Sequence, residues 1–98
     1  GVIPVVGEKN SLRLLNGETS KAIDRSRIRV VQTPQVFPAD LLKAAYQTTF
    51  HERFTDDASV AEESGIPIKL VEGDEKNIKI TTSIDLAFAD FLYGNNLI

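Results

Sequence analysis

The pair Asn16-Gly17 stands between two runs of apolar-bearing residues, with Leu12, Leu14 and Leu15 before it and Ile23, Ile28, Val30 and Val31 after it. Asn-Gly is the strongest short hairpin signal, because a tight turn between strands needs the left-handed backbone region that these residues enter easily. The stretch Ser11 to Gln32 is therefore expected to be hairpin-like, and this half of the chain β. Val2 to Val6 is apolar and β-branched and reads as a further, buried strand, broken after Val6 by the polar run Gly7 to Asn10. Pro4 inside it has no N–H to give a ladder, which predicts an edge strand or a bulge. A chain of 98 residues buries only about 60 to 70% of the surface that its unfolded form exposes. Long strands in it stay open to solvent unless something covers them.

After Gln35 the pattern turns helical. Pro38 suits a first helical position, Asp40 the first turn, and Leu41, Leu42, Ala45 and Tyr46 recur at helical spacing towards Phe50. A shorter helix is expected from Asp56 or Asp57 to Ser64, capped by Thr55 or Asp56 and stopped by Gly65 with Pro67 beyond. Ile66 to Glu72 and Asn77 to Thr81 read as strands joined by the turn Gly73 to Lys76. A last helix is capped by Thr82 or Ser83, carries Ile84, Ala87, Phe88, Phe91 and Leu92 on one face, and is expected to end at Gly94. Strands alternating with helices define an α/β class.

Bulk properties exclude several functions. The net charge of -3 argues against a non-specific nucleic-acid binder, which draws its affinity from many Lys and Arg contacts to phosphate. No apolar run is long enough for a membrane span and no secretory signal opens the chain, so the cytoplasm is the expected location. Cysteine is absent, which removes disulfides and thiolate metal sites together. His51 cannot build a metal site alone and is expected at the surface near a helix end.

Four features could carry chemistry. In a strand, Lys79 would face away from Ile78 and Ile80 and share its side with Asn77 and Thr81; from spacing alone, a solvated lysine is the simpler reading. Arg25, Arg27 and Arg29 alternate, so an extended chain would show all three on one face, either as an anion site or as charges that blunt edge-to-edge strand pairing. Asp56-Asp57 could hold Mg²⁺, although capping and the helix dipole explain two acids at a helix start better. Thr33-Pro34 says by itself only that residue 33 is extended.

Three segments, Gln32-Thr33-Pro34-Gln35, Thr55-Asp56-Asp57-Ala58-Ser59 and Asn77-Ile78-Lys79-Ile80-Thr81-Thr82, resemble in order and spacing the C-terminal part of the 2-C-methyl-D-erythritol 4-phosphate cytidylyltransferase family. The likeness runs from about Val2 to about Tyr93. It implies the C-terminal part of a Rossmann-like nucleotidyltransferase fold with a protruding β arm. Residues 1–98 would then be a fragment of one catalytic domain, about 7–30 forming an arm for homodimerisation and about 31–98 the α/β portion. Counterparts of the family's glycine-rich nucleotide-binding loop and metal-holding aspartate are absent, so the Mg²⁺ ligands are expected mainly in the family's N-terminal part, no residue here is assigned to the metal, and the chain alone is expected to be inactive.

The resemblance also implies roles. Lys79 occupies the place of the lysine that approaches the reacting phosphates. Ile23-Asp24-Arg25 matches an arm segment whose arginine reaches the sugar phosphate in the neighbouring subunit, and Thr33 matches a threonine beside that phosphate. Ser11 keeps the hydroxyl of a common Asp-Thr or Asp-Ser pair, with Asn10 in place of the acid. Arg27 and Arg29 gain no such support. The implied reaction joins CTP to a sugar-alcohol phosphate. A ribitol 5-phosphate cytidylyltransferase is one alternative, and a non-catalytic dimerisation module another.

Overall fold

Ile3 and Val5 alternate along an extended segment and bury one face of it, being 3% and 8% exposed. A computed structural model describes residues 1–98 and places these two at the centre of the packing. Their strand, β1 (Val2–Gly7), lies in the middle of a three-stranded sheet, antiparallel to β4 (Arg29–Val31) and parallel to β5 (Lys69–Glu72). Ala58 packs on Ile3 and Val5, with Phe37 and Ile68 closing the cluster.

Pro4 is thus in a central strand, against the edge expectation, and the bulge expectation describes what happens beside it. The pairing runs Val6↔Val30 and Val5↔Val31, then resumes at Val2↔Val36 with two extra residues on the partner side. Gln32 N–H still donates to the Pro4 carbonyl at 2.9 Å. Pro4 returns no donor, so the Gln32 carbonyl accepts the Gln35 side-chain amide instead, at 3.4 Å. The segment Gln32 to Gln35, with a cis Thr33–Pro34 peptide bond, leaves the sheet at this point.

The hairpin forms as its own two-stranded sheet, β2 (Leu12–Asn16) against β3 (Thr19–Ile23). Its turn lies one residue later than Asn-Gly suggests: Asn16 pairs with Thr19, and Gly17, with φ 62°, takes the first central position. The extended run does not reach Gln32. Asp24 caps a 3-10 turn over Arg25–Arg27, its carboxylate accepting the Ser26 hydroxyl at 2.6 Å and the Ser26 N–H at 3.1 Å, and the chain swings back to β4. Both bonds hold the Asp24 carboxyl below the usual carboxylate range. Leu14 and Leu15 of the hairpin are exposed, and the Cα radius of gyration is 16.4 Å against about 13 Å for a compact chain of this length.

Helix α1 (Ala39–Ala45) ends before Phe50. Gln47 and Thr48 N–H groups bond three residues back, to Ala44 and Ala45, which tightens the last turn, and the pair Thr48-Thr49 does not extend it. Helix α2 (Asp57–Glu63) starts in a capping box, with Asp56 accepting from Ser59 N–H and Ser59 Oγ accepting from Asp56 N–H. Its end is a Schellman motif in which Gly65, at φ 85°, donates to Glu62 O and Ile66 to Ala61 O. Ala45, Val60 and Ala61 are buried where α1 meets α2, and the Tyr46 hydroxyl donates to Asp57.

The predicted strand Asn77 to Thr81 is not formed: the chain turns at Glu75-Lys76 and runs unpaired to Thr82. Helix α3 (Ser83–Gly94) then begins at Thr82 in a second capping box, with Asp85. Gly94 is its last turn, not its stop; Asn96, at φ 54°, takes the left-handed position, and Leu97 N–H closes onto Leu92 O. Its apolar stripe exists, but only Leu92 is buried, while Ile84, Phe88 and Phe91 stay exposed. No helix is long and apolar enough to cross a membrane.

Candidate active site

Two glutamines tie the separate segments into one wall. The Gln32 side chain, released from the sheet by the break beside Pro4, crosses to the turn after β5: its Nε2 donates to Asp74 O at 2.7 Å and Asn77 O at 3.1 Å, and its Oε1 accepts from Asp74 N–H at 3.1 Å. Gln35 reaches the other way, donating to Asp56 Oδ2 at 3.1 Å and accepting from Ala58 N–H at 3.1 Å. Asn77 completes the tie by donating to the Thr33 carbonyl at 2.6 Å. An amide suits each task because one end donates and the other accepts.

This wall bounds a cavity of about 670 Å³. The end of β1 and the following loop, from Val6 to Asn10, supply one side; Gln32, Thr33 and Gln35 the next; Thr55 and Asp56 a third; Asn77, Ile78 and Lys79 the last, with Asp85 beyond them. Lys79 and Thr33, far apart in sequence, therefore share one cavity. Three consecutive residues line it because residues 77–81 are not a strand, so the expectation that Lys79 turns away from Ile78 is corrected.

Its charges are mixed. Glu8, Asp56, Glu75 and Asp85 line it together with Lys9 and Lys79. Lys9 pairs with Glu75 at 2.6 Å, whereas Lys79 makes no ion pair, so its ammonium is the free cation of the wall. Asp85 accepts from Thr82 N–H at 2.9 Å and Thr81 N–H at 3.0 Å, bonds that hold its carboxyl below the usual carboxylate range. Asp56 spends one oxygen on Ser59 N–H and the other on Gln35. No cluster of three His, Asp or Glu side chains suited to a metal forms.

Arg25 and Ser11 do not line this cavity. Arg25 sits in the 3-10 turn with its guanidinium on the Lys9 carbonyl, at the cavity rim, and Ser11 is exposed just before β2. The three arginines do not share an extended face; Arg29 donates back to Ser26 O and Ile28 O. His51 stacks edge-on with Phe54, ring centroids 5.2 Å apart, beside a smaller apolar cavity of about 400 Å³ between Tyr46, Phe50, Phe54 and Val60 that has no Lys or Arg. Gln32, Gln35 and Asn77 carry no role in the sequence reading. The one signal was their place beside Thr33-Pro34 and Lys79.

Residues 1–95 match the family model for 2-C-methyl-D-erythritol 4-phosphate cytidylyltransferase. The chain belongs to this family. A protein of that name from Bacteroides fragilis is 52% identical over 91 residues, which is 93% of this chain and 42% of the relative. One from Geobacillus kaustophilus is 40% identical over 98 residues, covering 97% of this chain and 43% of the relative. The solved enzyme from Thermus thermophilus superposes with a TM-score of 0.76 at 32% identity, over 95% of this chain and 48% of that one. A crystal structure of a 4-diphosphocytidyl-2C-methyl-D-erythritol synthase superposes with a TM-score of 0.77 at 32% identity, over 95% of this chain and 42% of that one. The chain thus spans less than half the length of these cytidylyltransferases and has the α/β architecture of part of their nucleotidyltransferase fold.

Proposed function

We propose that this chain forms part of the active site of an enzyme that transfers CMP from CTP to 2-C-methyl-D-erythritol 4-phosphate, in isoprenoid biosynthesis in the cytoplasm. The meeting of Lys79 and Thr33 in one cavity, with the Lys79 ammonium free of any carboxylate partner, carries the reading. An oxygen of the sugar-alcohol phosphate attacks the α-phosphorus of CTP; the bond to the β-phosphate oxygen breaks, and pyrophosphate leaves. A phosphate monoester with a second pKa near ~6 is already mostly dianionic at neutral pH, so no general base is needed. The difficulty is bringing two polyanions together. Lys79 offsets charge at the reacting phosphates, and Thr33 holds the attacking phosphate in line. Mg²⁺ would supply further neutralisation, with its ligands expected mainly in the part of the relatives that this chain does not cover.

Arg25 acts in the site of a second subunit, through a homodimer built on the β2–β3 arm, and Ser11 helps to hold the attacking phosphate. The exposed Leu14 and Leu15 of the arm support the homodimer. A protein of the relatives' full length, carrying this sequence, provides the test. It should release pyrophosphate from CTP with methylerythritol phosphate and not with ribitol 5-phosphate. Arg25→Ala should raise KM for the sugar phosphate about ten- to a hundredfold, the loss of a charge-assisted contact of about 1.5 to 3 kcal/mol, with KM for CTP nearly unchanged. Mixing Arg25→Ala with Lys79→Ala subunits should restore activity by leaving one site intact. Absence of recovery, with subunit exchange shown independently, refutes the cross-subunit role.

A further inference from the structure

We propose that Gln32 is a positioning residue for Lys79, fixing from the neighbouring Thr33 segment the unpaired stretch that presents its ammonium; the inference rests on the role of Lys79 given above. Residues 77–81 have no strand partner, so no ladder holds Lys79 in place. Upstream, the three bonds from the Gln32 amide grip the backbone of Asp74 and Asn77, and Asn77 grips Thr33 in return. Downstream, Thr81 and Thr82 N–H groups are held by Asp85, and the Thr81 hydroxyl donates to the Lys79 carbonyl at 3.2 Å. Lys79 hangs between these anchors, and the upstream one rests on two side chains, Gln32 and Asn77, of which Gln32 makes three of the four bonds.

Gly73 adds an independent sign. A Cβ there would run into Gln32 Oε1 and lie 3.1 Å from the Val5 carbonyl. The φ of Gly73 is not positive, so its bareness serves the approach of the Gln32 amide and not the backbone. Glutamate would keep the acceptor for Asp74 N–H while turning an oxygen towards the Asp74 and Asn77 carbonyls, and asparagine is one methylene short. The site thus selects glutamine and, opposite it, glycine.

A misplacement of about 1 Å of a group that aligns reactants can cost about a hundredfold in rate. In the full-length dimer, Gln32→Ala should therefore lower kcat about ten- to a hundredfold and move KM for CTP less than about threefold. Gly73→Ala, which expels the same amide, should cause the same loss, and the double variant no more than either alone. Amide exchange should quicken at Asp74 to Lys79 in both, with the rest of β1 and α2 unchanged. Full kcat in Gln32→Ala, unchanged exchange at Asp74 to Lys79, or losses that multiply in the double variant would each overturn the proposal. If Gln32→Ala fails to fold, Gly73→Ala decides alone by the same readouts. Should the unmodified protein not turn over CTP with methylerythritol phosphate, it is the proposed reaction that fails; the exchange measurement still decides whether Gln32 anchors the Lys79 segment.

Discussion

Replacing Gln35 with alanine removes three hydrogen bonds in one step, and the structure sets the cost. Its Nε2 donates to Asp56 Oδ2 at 3.1 Å and to Gln32 O at 3.4 Å, and its Oε1 accepts from Ala58 N–H at 3.1 Å. Ala58 is 7% exposed and belongs to the central cluster with Ile3 and Val5, so its N–H would be left without a partner where water enters poorly. A hydrogen bond to a charged acceptor contributes about 1.5 to 3 kcal/mol, and an orphaned buried donor costs about 1 to 3 kcal/mol. The 3.4 Å contact adds little. Because Asp56 lines the open cavity, water can replace the amide at its Oδ2 and offset part of the first contribution, and a loss of about 2 to 4 kcal/mol is expected. Urea denaturation of the full-length protein measures it, with Gln35→Met as the control that keeps volume and removes only the polar partners. Both variants should fall in that range, and Gln35→Ala combined with Asp56→Ala should cost less than the sum of the two. A loss under about 0.5 kcal/mol, or a methionine variant as stable as the original, would refute the claim that this amide joins the Thr33 segment to α2.

Lys79→Ala should lower kcat about a hundredfold or more while KM for CTP changes little, since an ammonium aimed at developing charge acts mainly in the transition state; equal losses in both would mean plain substrate binding. The Asp85 carboxyl is held below its ordinary 3.8 by the Thr82 and Thr81 N–H groups, so its capping stabilises α3 above that pH and is lost as pH falls through the lowered value. The stability gap between the original protein and Asp85→Asn should therefore narrow as pH drops below about 4, and a gap that stays constant would contradict the assignment. Ala61, 0% exposed on α2, leaves no room for added carbons, so Ala61→Leu should cost at least about 1 to 3 kcal/mol in a denaturation experiment. An unchanged midpoint would show that α2 can shift away from its neighbours.

Much of the secondary structure is legible because its signals act within one turn of chain. Asp56 with Ser59, Thr82 with Asp85 and Gly65 followed by Pro67 announce their caps from residues three or fewer apart, and the hairpin follows from residues adjacent to its turn. The misreadings lie where local preference was overruled or under-informed. Asp24 could bond its own next turn through Ser26, and this broke the alternation that would have aligned Arg25, Arg27 and Arg29. Asn77 to Thr81 has strand-like residues but no neighbour offering a ladder, and an unpaired strand has no hydrogen bonds to sustain it. For α3 the stripe of Ile84, Phe88 and Phe91 is readable and its exposure is not, because periodicity reports a face and says nothing of what covers it.

By itself, then, the sequence determined the α/β alternation, the places where the helices begin, the stop of α2 at Gly65, the hairpin, and the three segments that mark the family. Only the tertiary structure decided that Pro4 belongs to the central strand, that the chain bulges opposite it, and that the Gln32 side chain so released would clamp the approach to Lys79. The deciding bonds join residues 42 to 45 positions apart, Gln32 to Asp74 and Asn77, and Asn77 to Thr33. A glutamine's amide can satisfy any backbone N–H and C=O pair within reach, so its chemistry names no partner; the packing of β5 beside β1 brings one there.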